Sequence, residues 1–222
     1  MPTRTATRPM TTDPILILSQ WFSPAYPLGS FAYAHGLETA VQDGRIGSAA
    51  MLEDWLTDVL AHGSGHTDAI FVQVAHGTAR DDIAALDLTA RAYAPCAERL
   101  MESAQQGDAF ARTTCDIWGL DIPPLMHPVA AGFAAGQLGL PRTLTATLYL
   151  QAFVGNLVSC AVRLVPLGQT EGQAVLRRLS AQCPAIVQKA GEEGLDGLMS
   201  AAFASDIAAM RHETLEHRIF RT

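Results

Sequence analysis

The segment 143–165, TLTATLYLQAFVGNLVSCAVRLV, is the most apolar stretch of the chain and constrains the fold more than any other. A run of about 18 uninterrupted apolar residues would predict a helix that crosses a membrane. Polar or charged side chains interrupt this run at Gln151, Asn156, Ser159 and Arg163. The segment therefore predicts a helix buried at the centre of a globular protein, and no membrane partner is expected.

The rest of the chain repeats apolar residues at helical spacing, as in Leu52, Trp55, Val59 and Leu60. No stretch shows the strict alternation of apolar and polar residues that is typical of a half-buried strand. Hydrophobic residues make up 49% of the chain, enough to bury a substantial core. The pattern predicts an all-α, single-domain bundle of about nine or ten helices.

Several helix boundaries follow from turn and capping residues. Asp13 and Pro14 predict the start of the first helix, and the prolines and glycine of 23–30 predict an irregular loop. The pattern over 31–42 predicts a second helix. Near the other end, the capping box Thr170-x-x-Gln173 predicts one helix through Lys189, and the last helix is expected to begin near residue 198.

The ends of the chain differ from its body. Residues 1–12 lack the apolar core of a signal peptide and are predicted to form a disordered leader, followed by a helical domain over 13–210. Four cysteines without metal-ligand spacing indicate free thiols in a reducing cytoplasm. The formal net charge of −7 argues against a nucleic-acid partner, because phosphate binding needs a basic face.

Residues 211–222 are interpreted as a C-terminal tail that docks a partner. Phe203, Ile207 and Met210 lie at i, i+4 and i+7 and predict a core-facing stripe. Beyond Met210 the apolar residues move to a different side of the helix, which predicts that Leu215, Ile219 and Phe220 are exposed. The alternative interpretation is a frayed terminus.

The same tail, RHETLEHRIFRT, is similar to a zinc-protease motif but misses its spacing. The motif H-E-x-x-H places two histidines at i and i+4 on one helix face. His212 and His217 are five residues apart, which places them about 140° apart around a helix. Helical spacing instead predicts surface pairs of His212 with Glu216 and of Glu213 with His217.

Two further groups of polar residues are candidate sites. His62, His66 and Asp68 could serve as metal ligands, but two glycines between the histidines favour surface residues around a loop. A metal-dependent helical hydrolase that uses His62 and His66, or His212 and His217, remains the alternative function. Separately, Glu98, Glu102 and Gln105 share one helix face, as an acid/base pair or as a solvated or partner-facing stripe.

Three segments together resemble one family: SPAYPLGSFAYAHGLE (23–38), AVRLVPLGQTEGQ (161–173) and DIAAMRHETLEHRIFRT (206–222). A weaker fourth match is ERLMESAQQG (98–107). In this order they are similar to the urease accessory protein family UreF.

The resemblance implies an all-helical protein that forms a homodimer in the cytoplasm. Members of the family bind the accessory protein UreD, also called UreH, and recruit the GTPase UreG, and the complex delivers nickel to apo-urease. The resemblance thus implies a scaffold and regulator of the GTPase, without catalytic residues, metal ligands or a cofactor of its own. Nickel and GTP are expected to be handled by the complex.

The resemblance also assigns residues. Pro24, Pro27, Gly29 and Gly36 match a structural loop. Partner-binding positions are implied at Tyr33, His35, Glu38, Arg163, Gln169, Gln173, His212, Glu213, Arg218, Phe220 and Arg221. Glu38 is expected to face the GTPase. The chain departs from the family at 215–217, where the family commonly has Gln, Tyr and Ser or Thr, and at Ala34, where a Ser is common. Joint replacement of Arg218 and Phe220 by alanine is predicted to weaken partner binding and to leave the melting temperature nearly unchanged.

Overall fold

The computed structural model describes residues 12–222 and shows a helical bundle. This part of the chain contains eleven α-helices, nine of them ten or more residues long, and no strand. The helices are α1 (Pro14–Trp21), α2 (Leu37–Gln42), α3 (Ala49–His62), α4 (Ser64–Gly77), α5 (Ile83–Ala92), α6 (Ala97–Trp118), α7 (His127–Gln137), α8 (Arg142–Leu164), α9 (Gln169–Ser180), α10 (Cys183–Glu193) and α11 (Phe203–His212). The predicted all-α fold is confirmed, whereas the predicted leader lies almost entirely outside the described residues.

Helices α4 and α7 cross in close contact at the centre of the bundle. A Cβ atom added to Gly132 would lie 2.2 Å from the carbonyl oxygen of Val72, and one added to Gly136 would lie 2.1 Å from that of His76. Nothing larger than hydrogen fits at either position, so the glycines let the two backbones touch. Residues 127–135 of α7 are all buried as a result.

Helix α8 is the long central helix that the apolar segment predicts. It packs against α4, α7 and α9, with Leu150, Val154 and Leu157 on its buried face. Among the described helices α8 alone is long and apolar enough to cross a membrane, judged by length and composition only, and half of that window is buried inside the fold. Its other face borders a cavity.

The predicted helix over 31–42 is wrong in its first half. Ser30–Ala32 forms a 3-10 turn, and α2 begins only at Leu37. Between these two elements, His35 and Gly36 have φ angles of 59° and 74°, in the left-handed region that ends helices. Glycine is required at position 36 for two reasons: the left-handed φ angle, and the close approach of α11, since a Cβ there would lie 2.6 Å from the main-chain nitrogen of Ala209.

The predicted helix from the Thr170 capping box to Lys189 is also wrong, since two helices occupy this region. Gly168 is the N-cap of α9, and its N–H donates to Oε2 of Glu171 at 3.0 Å. The chain then turns at 181–182, and α10 begins with Pro184 in its first turn. Proline is tolerated there because the missing N–H would have no partner within the helix.

The predicted core stripe of α11 faces solvent. Phe203, Ile207 and Met210 are 68%, 51% and 48% exposed, and the helix begins at residue 203 rather than 198. The buried face carries Ala208 and Ala209, whose small side chains let α11 approach the backbone at Gly36. Close backbone contact, rather than large apolar side chains, therefore decides which face of α11 is inside.

Candidate functional site

The C-terminal tail (residues 211–222) folds back onto the body of the protein. Helix α11 ends at His212, and the following residues run without regular structure across α2 and α6. Phe220 and Thr222 are only 4% and 1% exposed, whereas Ile219 is 73% exposed. The predicted exposure is thus confirmed for Ile219 and wrong for Phe220.

Glu38, in the first turn of α2, holds the tail by its main chain. Its side chain is 2% exposed, and its two oxygens accept the N–H of Ile219 at 2.9 and 3.0 Å. Oε2 also accepts the N–H of Phe220 at 3.0 Å. A buried carboxylate is costly unless it is hydrogen-bonded, and here the tail supplies the donors.

His212 joins the tail to α6. Its Nδ1 lies 2.7 Å from Oε2 of Glu98, and because a carboxylate only accepts, Nδ1 carries the hydrogen. Its Nε2 lies 3.6 Å from Oε2 of Glu38, so the ring stands between two carboxylates. Arg218 donates to the other oxygen of Glu98 at 2.5 Å.

The end of the tail pairs with the segment before α2. The N–H of Ala34 donates to the main-chain oxygen of Thr222 at 3.0 Å, and the N–H of Arg221 donates to the carbonyl of Ala32 at 2.8 Å. The hydroxyl of Thr222 donates to Oε2 of Glu102 at 2.7 Å. We call Glu38, Glu98, Glu102, His212 and Arg218 the tail clamp.

The predicted surface pairs of the tail do not form. The main-chain N–H of Glu98 donates to Glu213 at 3.1 Å, and the partners of His212 are Glu38 and Glu98. The pairs of His212 with Glu216 and of Glu213 with His217 required a helix that continues past residue 212. That part of the prediction is wrong, because α11 has already ended.

Tyr33 and His35 anchor the segment onto which the tail folds. The hydroxyl of Tyr33 donates to Gln105 at 2.6 Å, and its carbonyl accepts from Asn156 at 3.1 Å. Nε2 of His35 lies 3.1 Å from the hydroxyl of Ser64. Burial, with a smaller effect from the charge of Arg99, lowers the pKa of His35 well below its ordinary value, so the ring is neutral at neutral pH.

Arg163 closes the site from α8. Its guanidinium lies 4.6 Å from the centre of the Phe220 ring, in a cation–π arrangement, and donates to the carbonyl of Phe31 at 3.0 Å. A residue of the central motif therefore contacts a residue of the tail motif. The structure brings these positions together across more than fifty residues of sequence.

The α6 stripe proves to be the surface that receives the tail. Glu98 contacts His212 and Arg218, Glu102 contacts Thr222, and Gln105 contacts Tyr33. The i, i+4, i+7 spacing identifies the stripe from the sequence but does not assign it to the site of the tail. The missing information was the long-range contact, which no local spacing reveals.

The remaining predicted positions lie outside the clamp. Gln169 and Gln173 are exposed on α9. In the loop before the clamp, Pro24 and Pro27 are exposed, and Gly29 has a φ of 71° at the turn that leads into the 3-10 helix.

The two histidines that could serve as metal ligands near the start of α4 differ in environment. His62 is exposed, but His66 is buried and its Nε2 lies 2.9 Å from Glu193, so the predicted surface position is wrong for His66. Asp68 accepts a hydrogen bond from Tyr149 at 2.8 Å instead. Within residues 12–222 no group of three or more His, Cys, Asp or Glu side chains is arranged to hold a metal ion.

Comparison with known proteins identifies the family of the chain that carries this site. A model of the UreF family matches residues 46–180. A urease accessory protein UreF from Cereibacter sphaeroides is 53% identical over 208 residues, covering 94% of this chain and 98% of that protein. The chain belongs to the UreF family.

Two further UreF proteins match over nearly the whole chain. The protein from Ruegeria pomeroyi is 48% identical over 96% of this chain and 98% of its own length. The protein from Roseobacter denitrificans is 47% identical over 96% of each chain. The motif-based assignment to UreF is therefore confirmed, and the tail clamp is a feature of a UreF fold.

Because Phe220 is buried, its replacement is expected to destabilise the protein, in contrast to the nearly unchanged melting temperature expected from the sequence. Phe220→Ala is expected to lower the free energy of unfolding by about 3 kcal/mol, because it empties a packed site beneath Arg163. Urea denaturation measures this loss. Ile219→Ala is the matched control and is expected to change stability by no more than about 0.5 kcal/mol. An unchanged midpoint for Phe220→Ala would mean that the tail is frayed in solution.

Proposed function

We propose that this chain acts in urease maturation as a scaffold in the cytoplasm. In this role it binds UreD (UreH) and the GTPase UreG, acts as a homodimer and regulates the GTPase while nickel is delivered to apo-urease. Membership of the UreF family supports the role in urease maturation. The observation that carries the proposal is that residues of the three family motifs meet at the tail, where Glu38 accepts the N–H groups of Ile219 and Phe220 and Arg163 lies against the Phe220 ring.

The clamp supports partner binding because it fixes the tail before a partner arrives. A tail that is ordered in advance loses less conformational entropy on binding than a free one. The clamped tail presents Ile219 at 73% exposure and Arg221 beside it, with Arg218 partly exposed. An exposed apolar side chain between arginines is a suitable anchor for a protein interface.

The role expected for Glu38 changes. A side chain that is 2% exposed, with both oxygens bonded to the tail, cannot contact a GTPase directly. Glu38 instead positions the residues that a partner contacts. The expectation that Glu38 faces UreG is therefore replaced by an indirect role.

The alternative of a metal-dependent hydrolase loses its structural basis. His66 pairs with Glu193 and His212 pairs with Glu98, and within the described residues no group of three or more metal-ligating side chains is arranged around an ion. Metal analysis of the purified chain tests this directly. A stoichiometric, tightly bound ion would restore the alternative.

The exposed side of the tail provides the test of partner binding. Ile219→Asp is expected to lower the affinity for UreD by about tenfold or more, since it places a charge at the centre of the proposed interface. Binding is measured by titration of UreD with the full chain, and melting temperature is measured on the same samples.

Leu88→Asp is the matched control for this substitution. Leu88 is 67% exposed on α5, away from the tail, so both its UreD affinity and its stability are expected to stay at the wild-type level. Equal affinity of the Ile219 variant and the wild type would show that the tail is not the UreD interface.

A further inference from the structure

A cavity of about 390 Å³ opens beside α8. It lies between the loop 22–31, α8 and α9, and its floor is formed by α4, α6 and α7. This volume is in the range of sites that bind small molecules, roughly 300 to 1,000 Å³. The tail clamp uses Glu102 at one edge of the floor and leaves the rest of the cavity without a role.

The walls of the cavity are apolar and rich in aromatic rings. They include Trp21, Phe22, Leu28, Phe31, Phe153 and Leu176. Gly155 and the exposed Gln173 also line it. Such walls fit an apolar stem, and aromatic faces also attract cations.

The floor presents a carboxylate with an unused oxygen. Oδ2 of Asp68 accepts the hydroxyl of Tyr149 at 2.8 Å, and within residues 12–222 no hydrogen bond reaches Oδ1. The Tyr149 ring is held between Phe22 and His127, with centroid distances of 5.9 and 5.1 Å. The hydroxyl is therefore fixed on one oxygen, and the other remains an acceptor.

The charges around Asp68 do not balance. Arg99 forms a buried ion pair with Glu102, and its single positive charge also acts on Asp68 without a direct ion pair between the two. Burial lowers the pKa of His127 to about 4, so that ring is neutral at neutral pH. Burial also raises the pKa of Asp68 to about 6, and the carboxyl is still mostly ionised at neutral pH. The floor thus carries one negative charge more than its positive charges.

We propose that this cavity binds a small organic amine, with its ammonium group on Asp68 and its apolar stem among the aromatic walls. The ammonium group supplies hydrogen-bond donors to the second oxygen of Asp68 and the positive charge that the floor lacks. A carboxylate of the same size would be repelled, and a neutral alcohol would leave the charge uncompensated. The site is independent of the proposed scaffold role.

The test is a titration of the full chain with n-hexylammonium, n-hexanol and n-hexanoate, followed by calorimetry. Hexylammonium is expected to bind about tenfold or more tightly than hexanol, with no detectable binding of hexanoate. Asp68→Asn is expected to remove this preference and to raise the melting temperature, because it replaces a buried charge. Asp58→Asn, on the exposed side of α3, removes the same charge outside the cavity and is expected to bind as the wild type does.

Two further measurements keep the proposal testable if Asp68→Asn fails to fold. Gly155→Phe adds a ring to the cavity lining, where a Cβ meets only Leu176 at 3.8 Å, and is expected to block binding without changing Asp68. Hexylammonium affinity is also expected to fall between about pH 7.5 and pH 5, as Asp68 takes up a proton. The other titratable groups that face Asp68 are Arg99, Glu102, Tyr149 and His127.

Three outcomes would overturn the proposal. They are equal affinity for the ammonium and the alcohol, no binding at millimolar concentration, and full affinity in Asp68→Asn. UreD binding is expected to be unchanged in Asp68→Asn, so failure of the amine site leaves the scaffold role untouched.

Discussion

Glu38→Ala is expected to release the tail and to lower the free energy of unfolding by about 4 kcal/mol. The substitution leaves the main-chain N–H groups of Ile219 and Phe220 without acceptors, each costing about 1 to 3 kcal/mol if the tail stays in place. It also removes one of the two carboxylates beside His212. The tail is therefore expected to detach rather than remain with unpaired donors.

Hydrogen exchange measures this release at single residues. The amides of Ile219 and Phe220 are expected to exchange at the rate of an unstructured peptide in Glu38→Ala, whereas α4 and α7 stay protected. Glu38→Gln is an intermediate case, because its oxygen accepts one amide while its NH₂ group faces another donor.

Glu53→Ala is the control for the loss of a glutamate. Glu53 pairs with Arg178 at the surface, and its loss is expected to cost about 1 kcal/mol or less. Continued protection of the tail amides in Glu38→Ala would contradict the clamp.

The second large effect is expected at the crossing of α4 and α7. Gly132→Ala places a methyl group 2.2 Å from the carbonyl oxygen of Val72, which cannot move without separating the helices. We expect a loss of about 3 kcal/mol or more, even though alanine has the higher helix propensity. Thermal and urea denaturation measure the loss.

Gly77→Ala is the matched control at the end of α4. A Cβ there meets nothing within 4 Å, so the substitution is expected to leave stability unchanged or slightly raised. Equal stability of Gly132→Ala and the wild type would mean that α7 is not held as closely against α4 as described.

The fold class and the central helix could be predicted from local pattern. Polar interruptions at Gln151 and Asn156 favour a buried helix for α8, although its length and composition alone would let it cross a membrane. Helical spacing identifies most other helices. The pattern failed where long-range contact overrides propensity. His35 and Gly36 adopt left-handed angles inside an apparently helical stretch, because the chain there turns to meet Thr222 and α11.

The sequence could predict which residues belong to the site but not how they contact one another. Family motifs pointed to Glu38, His212, Arg218 and Phe220, which the structure brings into one place. Neither the motifs nor the spacing indicated that Glu38 accepts hydrogen bonds from residues about 180 positions away. The periodic pattern predicts an exposed Phe220. The prediction is wrong because Phe220 is buried by a fold-back of the tail, which follows no periodic pattern.

The affinity of the full chain for UreD, compared with that of Glu38→Ala, tests the account most directly. We expect the wild type to bind UreD at micromolar concentration or below. We expect Glu38→Ala to bind about tenfold or more weakly, since its tail must be ordered again on binding. Equal affinities would show that the clamp does not prepare the partner surface, and no binding of the wild type would contradict the scaffold role itself.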